Sequence, residues 1–207
     1  MIYEYLKNNY KAGEPIFLND IKIEGMTDEN IRYHLKKLTD DGLISRFESG
    51  VYYIPKLNLL GEKSELSVET VAVNKYISRN GKTVGFYSGY TLANRIGIST
   101  QVPFTEEISS NYAPALVREV SIKNRKFILR RPVVEISDEN IYVLQFLDCL
   151  KDIDKCAEES LEECGKILSD YAKKYNITKA LVDKFIMYYP LKVYKAIYDT
   201  GVKYVSS

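Results

Sequence analysis

Asn30, Arg32, Tyr33, Lys36 and Lys37, followed by Arg46, are the side chains of this sequence whose types and spacing suit recognition of double-stranded DNA. Arg32 can pair with a guanine edge and Asn30 with an adenine edge in the major groove. Lys36, Lys37 and Arg46 suit phosphate oxygens, contacts that position a protein on a duplex without reading its sequence. A second basic set lies further along the chain, where Arg118, Lys123, Arg125, Lys126, Arg130 and Arg131 stand against Glu119 alone, a net charge of +5. It is either a second surface for nucleic acid or a site for a protein partner. The plainer reading is a hairpin whose basic residues keep an exposed edge strand from aggregating.

Other chemistry has few candidates. The sequence contains no phosphate-binding G-x-x-x-x-G-K-[ST], no H-E-x-x-H and no G-x-S-x-G, so the expectation is a protein that is not an enzyme and needs no cofactor. Cys149, Cys156 and Cys164 are seven and eight residues apart, and the chain has one histidine, His34. Those spacings assemble no zinc or redox motif, so buried thiols and no metal site are expected. Ser88-Gly89-Tyr90 imitates a nucleotide-transfer loop but lacks a closely following pair of acids to hold metal ions.

The elements that must position the first set are legible locally. Thr27 is a helix N-cap, Asp28 and Glu29 put negative charge in the first turn, and Met26 can staple onto Ile31. Ile31, Leu35 and Leu38 form an apolar stripe, which leaves the five polar candidates on the other faces. Gly42 ends the helix; a strand through Leu43, Ile44 and Phe47 turns at Ser49-Gly50 and returns as Val51 to Ile54 before Pro55. Upstream, Ile2, Tyr5 and Leu6 suggest a first helix, and residues 14–23 a short strand and a second helix capped by Asn19. Three helices and a hairpin in this order make a winged helix-turn-helix. Residues 1–58 nevertheless carry eight Lys and Arg against nine Asp and Glu, where a DNA module is expected to be basic.

After a polar linker between Pro55 and Ser67, a second domain is expected over 66–207. Its first part, 66–134, reads as mixed α/β: a helix from Val68 to Ile77, glycine-broken strands, a short helix from Thr91 to Ile96, and a hairpin turning at Lys123-Asn124-Arg125. Its second part, 137–205, reads as a helical bundle, with Ser137 or Asp138 capping one helix, Thr178 capping another, and Pro190 in the first turn of the last. The fold class is therefore α+β. Residues 135–170 have a net charge of −8 and residues 171–207 one of +5, blocks that either attract each other within the bundle or across a dimer or, on the plainer reading, are ordinary solvated helix faces. At 207 residues, with 45% hydrophobic and 28% charged residues, the chain can bury one large core or two modest ones. No stretch approaches the roughly 20 apolar residues of a membrane span, and charges occupy the N-terminus where a signal peptide needs an apolar core. A cytoplasmic location is expected.

Two stretches, DDGLISRFESGVYYIP and SGYTLANRIGISTQVPFTEEI, with the basic hairpin and Arg130-Arg131-Pro132 after them, resemble the AbiEi-type antitoxins of bacterial abortive-infection toxin–antitoxin systems. Together they span roughly half the chain. The resemblance implies a non-enzymatic repressor that binds an inverted repeat in its own operator through the winged helix, and a following domain that neutralises a nucleotidyltransferase-like toxin without a stable direct complex. Carried onto this sequence, DNA reading falls on Asn30, Arg32, Tyr33, Lys36, Lys37 and Arg46. The alternatives are a stand-alone winged-helix regulator and a protein-interaction module that does not bind DNA.

Overall fold

A computed structural model describes residues 2–57 and 61–205. Among them are eight α-helices and nine strands in three sheets, a mixed α+β protein. The chain divides into two compact units, one ending at Asn74 and one beginning at Lys75. Residues 58–60, inside the expected linker, lie outside the described residues. On either side of them Leu57 pairs with Lys63 in an antiparallel bridge, and the Lys63 ammonium donates to the Gly42 carbonyl at 2.7 Å.

The first unit holds α1 (Ile2–Asn9), β1 (Ile16–Phe17), α2 (Asp28–Asp40), β2 (Ser45–Glu48) and β3 (Val51–Tyr53). The strands form an antiparallel sheet in the order β1-β3-β2, with Ile16 opposite Tyr52 and Arg46 opposite Tyr52 from the other side. Leu6, Ile16, Ile21, Ile31, Leu35, Ile44 and Tyr52 share one core. Where the sequence suggests a second helix capped by Asn19, the chain makes only a single 3₁₀ turn, Leu18–Asp20, with no side-chain cap. The segment is short, lying between Pro15 and Gly25, and alternation at Ile21 and Ile23 favours extended backbone. A helical nucleus there would fix several residues for very few hydrogen bonds.

α3 (Val68–Tyr76) runs through the point of division. β4 (Ser78–Arg79) and β5 (Lys82–Thr83) then form a small hairpin about Asn80-Gly81, both with positive φ, the Asn-Gly signature of a two-residue turn. β6 (Gly85–Tyr87), β7 (Glu106–Ser110), β8 (Val117–Ile122) and β9 (Arg125–Arg130) build a four-stranded sheet, order β6-β7-β9-β8, in which only β7 and β9 are parallel. The basic hairpin turns at Lys123-Asn124, and Arg125 already pairs with Ile122. α4 (Gly89–Ile96) links β6 to β7 and ends at Gly97 in the left-handed region.

α5 (Ile141–Cys156), α6 (Leu161–Lys174), α7 (Lys179–Ile186) and α8 (Lys192–Thr200) complete the second unit. Ser160 caps α6 by accepting from the Glu163 amide, and Thr178 caps α7 by accepting from the Leu181 amide at 3.3 Å. α5 starts otherwise than expected: Asn140 is the residue before the helix, its side chain accepting from the Ser137 amide, while the Asp138 carboxylate turns away to Thr83. Pro190 stands one residue ahead of the α8 cap, outside the first turn. Phe86, Leu92 and Ala93 pack with α5–α8 into one core, in which the three cysteines are buried and unpaired.

Two close fits hold this bundle. Gly165 lies where a Cβ would come within 1.9 Å of the Thr200 carbonyl oxygen, so α6 and α8 meet without a side chain between them. The Glu158 carboxylate, after α5, accepts from the Thr100 amide at 2.9 Å, the Thr100 hydroxyl at 2.7 Å and the Ser99 hydroxyl at 2.9 Å, pinning the loop that follows α4.

Helix propensity favours Gly165→Ala by about 1 kcal/mol, yet overpacking costs about 1–3 kcal/mol or more, so this variant is expected to lower the melting temperature; a rise would refute the close approach. The bonds from Thr100 and Ser99 hold the Glu158 carboxyl down at about 2, against an ordinary 4.5. Its folded value is depressed, so its stabilisation is present above the ordinary carboxyl range and lost as pH falls through the interval between the two. A carboxyl NMR titration of Glu158 should show that low midpoint, and Glu158→Gln should weaken the acid dependence of stability there.

Candidate nucleic-acid interface

α2 presents the first candidate set on a rigid support. Thr27 accepts from the Asn30 amide at 3.3 Å and fixes the start of the helix. Gly42, at φ 70°, lets the chain leave after Asp41. The inward stripe of Ile31, Leu35 and Leu38 is buried, which fixes the rotation of the helix about its axis. Asn30, Arg32, Tyr33, Lys36 and Lys37 are all exposed, Tyr33 at 66%.

They do not share one face. At 3.6 residues per turn, Tyr33 points opposite the buried stripe with Lys36 and Lys37 to its two sides, while Asn30 and Arg32 lie about 160° apart on opposite flanks. By the same rotation Glu29 and Asp40 stand on the outward face with Tyr33, one a turn before it and the other two turns after. This acidic bracket is readable from the spacing Glu29, Tyr33, Lys36, Asp40, yet composition counts hide it. Arg46, exposed on β2, donates from Nε to the Glu48 carbonyl at 3.3 Å next to the Ser49-Gly50 turn. His34 is half-buried and meets the Tyr33 ring edge-on at 5.5 Å, a packing contact that steadies Tyr33.

The basic hairpin is less free than its composition suggests. Arg125 pairs with Glu106 at 2.9 Å, Lys126 with Glu119 at 2.9 Å and Arg130 with Glu107 at 2.6 Å. The Arg131 guanidinium donates to the Pro114 carbonyl at 3.4 Å. Arg118 and Lys123 are exposed on β8 and its turn. Two of the neutralising acids, Glu106 and Glu107, come from β7, 19 and 23 residues before their partners Arg125 and Arg130, and the pairing of β7 with β9 is what brings them in.

β7 also brings one acid beside the Ser88-Gly89 loop, but not a pair placed to share a metal ion. The Ser88 amide donates to the Glu107 carbonyl at 2.9 Å, and a Cβ on Gly89 would meet the Glu107 carboxylate at 2.7 Å. Glu106 and Glu107 are neighbours on a strand and point to opposite faces, each engaged by an arginine. Among the described residues, no three His, Cys, Asp or Glu side chains are grouped to hold a metal ion. On α5, Asp148 is buried with Lys151 as its ion-pair partner. Burial pushes the Asp148 carboxyl up and Lys151 opposes it. The Lys151 ammonium, which burial alone would lower, is raised by Asp148. No helix among the described residues is long and apolar enough to cross a membrane.

No curated protein matches this chain. The profile of the family of unknown function DUF6088 matches residues 1–179, a span that takes in the whole of the first unit, the four-stranded sheet and α5 and α6, and the chain belongs to that family.

Proposed function

We propose that the first unit is a winged helix-turn-helix and that it reads operator DNA, with α2 as the recognition helix and the β2–β3 hairpin as the wing. The observation that carries this reading is the exposed row Lys36, Tyr33, Lys37 on a capped helix whose rotation is fixed by Ile31, Leu35 and Leu38. A helix so presented enters a major groove with its side chains toward base edges, and Arg46 beside the hairpin turn reaches the phosphates. Arg32 and Asn30, on opposite flanks, face the two walls of the groove. The first unit, residues 1–74, holds nine Lys and Arg against twelve Asp and Glu, and a homo-oligomer that doubles the phosphate contacts supplies the missing attraction.

The resemblance to AbiEi-type antitoxins extends the reading: a cytoplasmic autorepressor, not an enzyme, that binds an inverted repeat upstream of its own operon, its second unit neutralising a nucleotidyltransferase-like toxin. One observation favours a second reading. Glu29 and Asp40 bracket the outward face of α2, and such a face suits docking to a basic protein better than to phosphates.

Fluorescence anisotropy against the upstream duplex and a scrambled one, over a salt series, separates the two. The proposal expects tight binding to the native duplex only. Lys36→Ala should reduce the salt slope by about 1 with little change in sequence preference, whereas Arg32→Ala should cost about 1–3 kcal/mol and relax the preference. Glu29→Gln and Asp40→Asn should tighten binding. Weak, equal binding to both duplexes would make α2 a protein-docking surface.

A further inference from the structure

α8 is apolar on the side that faces solvent as well as on the side that faces the core. Val193, Ala196 and Thr200 are buried. At 3.6 residues per turn Leu191 and Tyr198 stand opposite them, with Tyr194 on one flank and Lys195 and Asp199 on the other. Leu191 is 83% exposed, Tyr198 86% and Tyr194 47%, and Met187 and Tyr188 are exposed on the turn that leads into the helix. A surface helix is ordinarily polar opposite its core stripe. Large apolar patches left open on a monomer mark interaction sites.

Beside this ridge runs a groove of about 210 Å³, in which Leu161 and Ala196 give an apolar lining and Lys195 and Asp199 a charged one. Among the described residues Lys195 and Asp199 have no ion-pair partner, whereas Asp183 engages Lys179, and Asp152 and Asp154 engage Lys192. A surface whose lysines are largely answered, and which carries Asp199, does not suit a polyanion such as nucleic acid or anionic lipid. Exposed tyrosines and a methionine with one free charge of each sign match the make-up of a protein interface, and those two charges complement a second copy of themselves. Two α8 helices set antiparallel about a twofold axis level with Ile197 bring Lys195 of each copy opposite Asp199 of the other, and Tyr198 opposite Ala196. The ridge of each copy then enters the groove of the other. We propose that the chain forms a twofold dimer through α8. As a means of reading an inverted repeat the dimer rests on the DNA reading, whose symmetry it matches; as an association it is measured without DNA, so the two fail separately.

The test is sedimentation velocity of the full chain, free of DNA, over a range of micromolar concentrations. Reversible association is expected, with the dimer fraction rising with concentration. Tyr198→Glu, at an exposed position, should leave the thermal melt unchanged and weaken association about thirtyfold or more. Lys195→Asp and Asp199→Lys should each weaken it about tenfold, and the double variant, which restores opposite charges across the axis, should recover most of the loss. A monomer at every concentration, a dimer that survives Tyr198→Glu, or a double variant that associates no better than the single ones would each overturn the interface.

Discussion

The second unit depends on burying α5. Val143, Leu144, Phe146, Leu147, Cys149, Leu150 and Ile153 are buried and leave Tyr142 as the one exposed side chain of that helix before Asp154, and a helix apolar on nearly all sides must be enclosed. α4 and β6 cover one side, and α6, α7 and α8 the others. The short helices that do the covering would be marginal alone and are stabilised by packing. The close approach of Gly165 to Thr200 follows from the same demand, since α6 and α8 can share one buried helix only if they also lie against each other. Asp148 is the polar exception in this enclosure. Lys151, three residues on, answers its carboxylate with an ion pair.

The first unit works with a smaller core and a simpler division of labour. One stripe of α2 packs into the core, so Asn30, Arg32, Tyr33, Lys36 and Lys37 are held outward at fixed angles. The arrangement separates what the helix displays from what holds it in place. Its electrostatics are local: the lysines beside Tyr33 act between two carboxylates, and a field of that kind steers less and discriminates more than a uniformly basic face. In the second unit the hairpin that is strongly basic in sequence is moderated in space by Glu106, Glu107 and Glu119. Lys192 of α8 lies 3.5 Å from Asp154 of α5, so part of the opposition between the acidic and basic blocks is met inside the bundle.

What the sequence alone determined is whatever a few neighbouring residues can decide. The caps at Thr27 and Thr178, the end of α2 at Gly42, the hairpins, the helical C-terminal part and the buried thiols each rest on propensity, capping or periodicity within one or two turns. The same locality explains the failures. The expected helix after Phe17 had apolar residues enough but lacked length, and Asp138 left the start of α5 because Thr83, 55 residues earlier in the chain, competes for its carboxylate. Tertiary structure decided what depends on strand pairing and helix packing. Register placed Glu107 beside Gly89 and Arg130, and Glu106 beside Arg125, turning an isolated loop motif and a charged run into paired groups. Packing made Asp148 a buried acid paired with Lys151 and Gly165 a point of contact. Neither has a local signature, because burial is a property of the surroundings, and these surroundings come from segments tens of residues away.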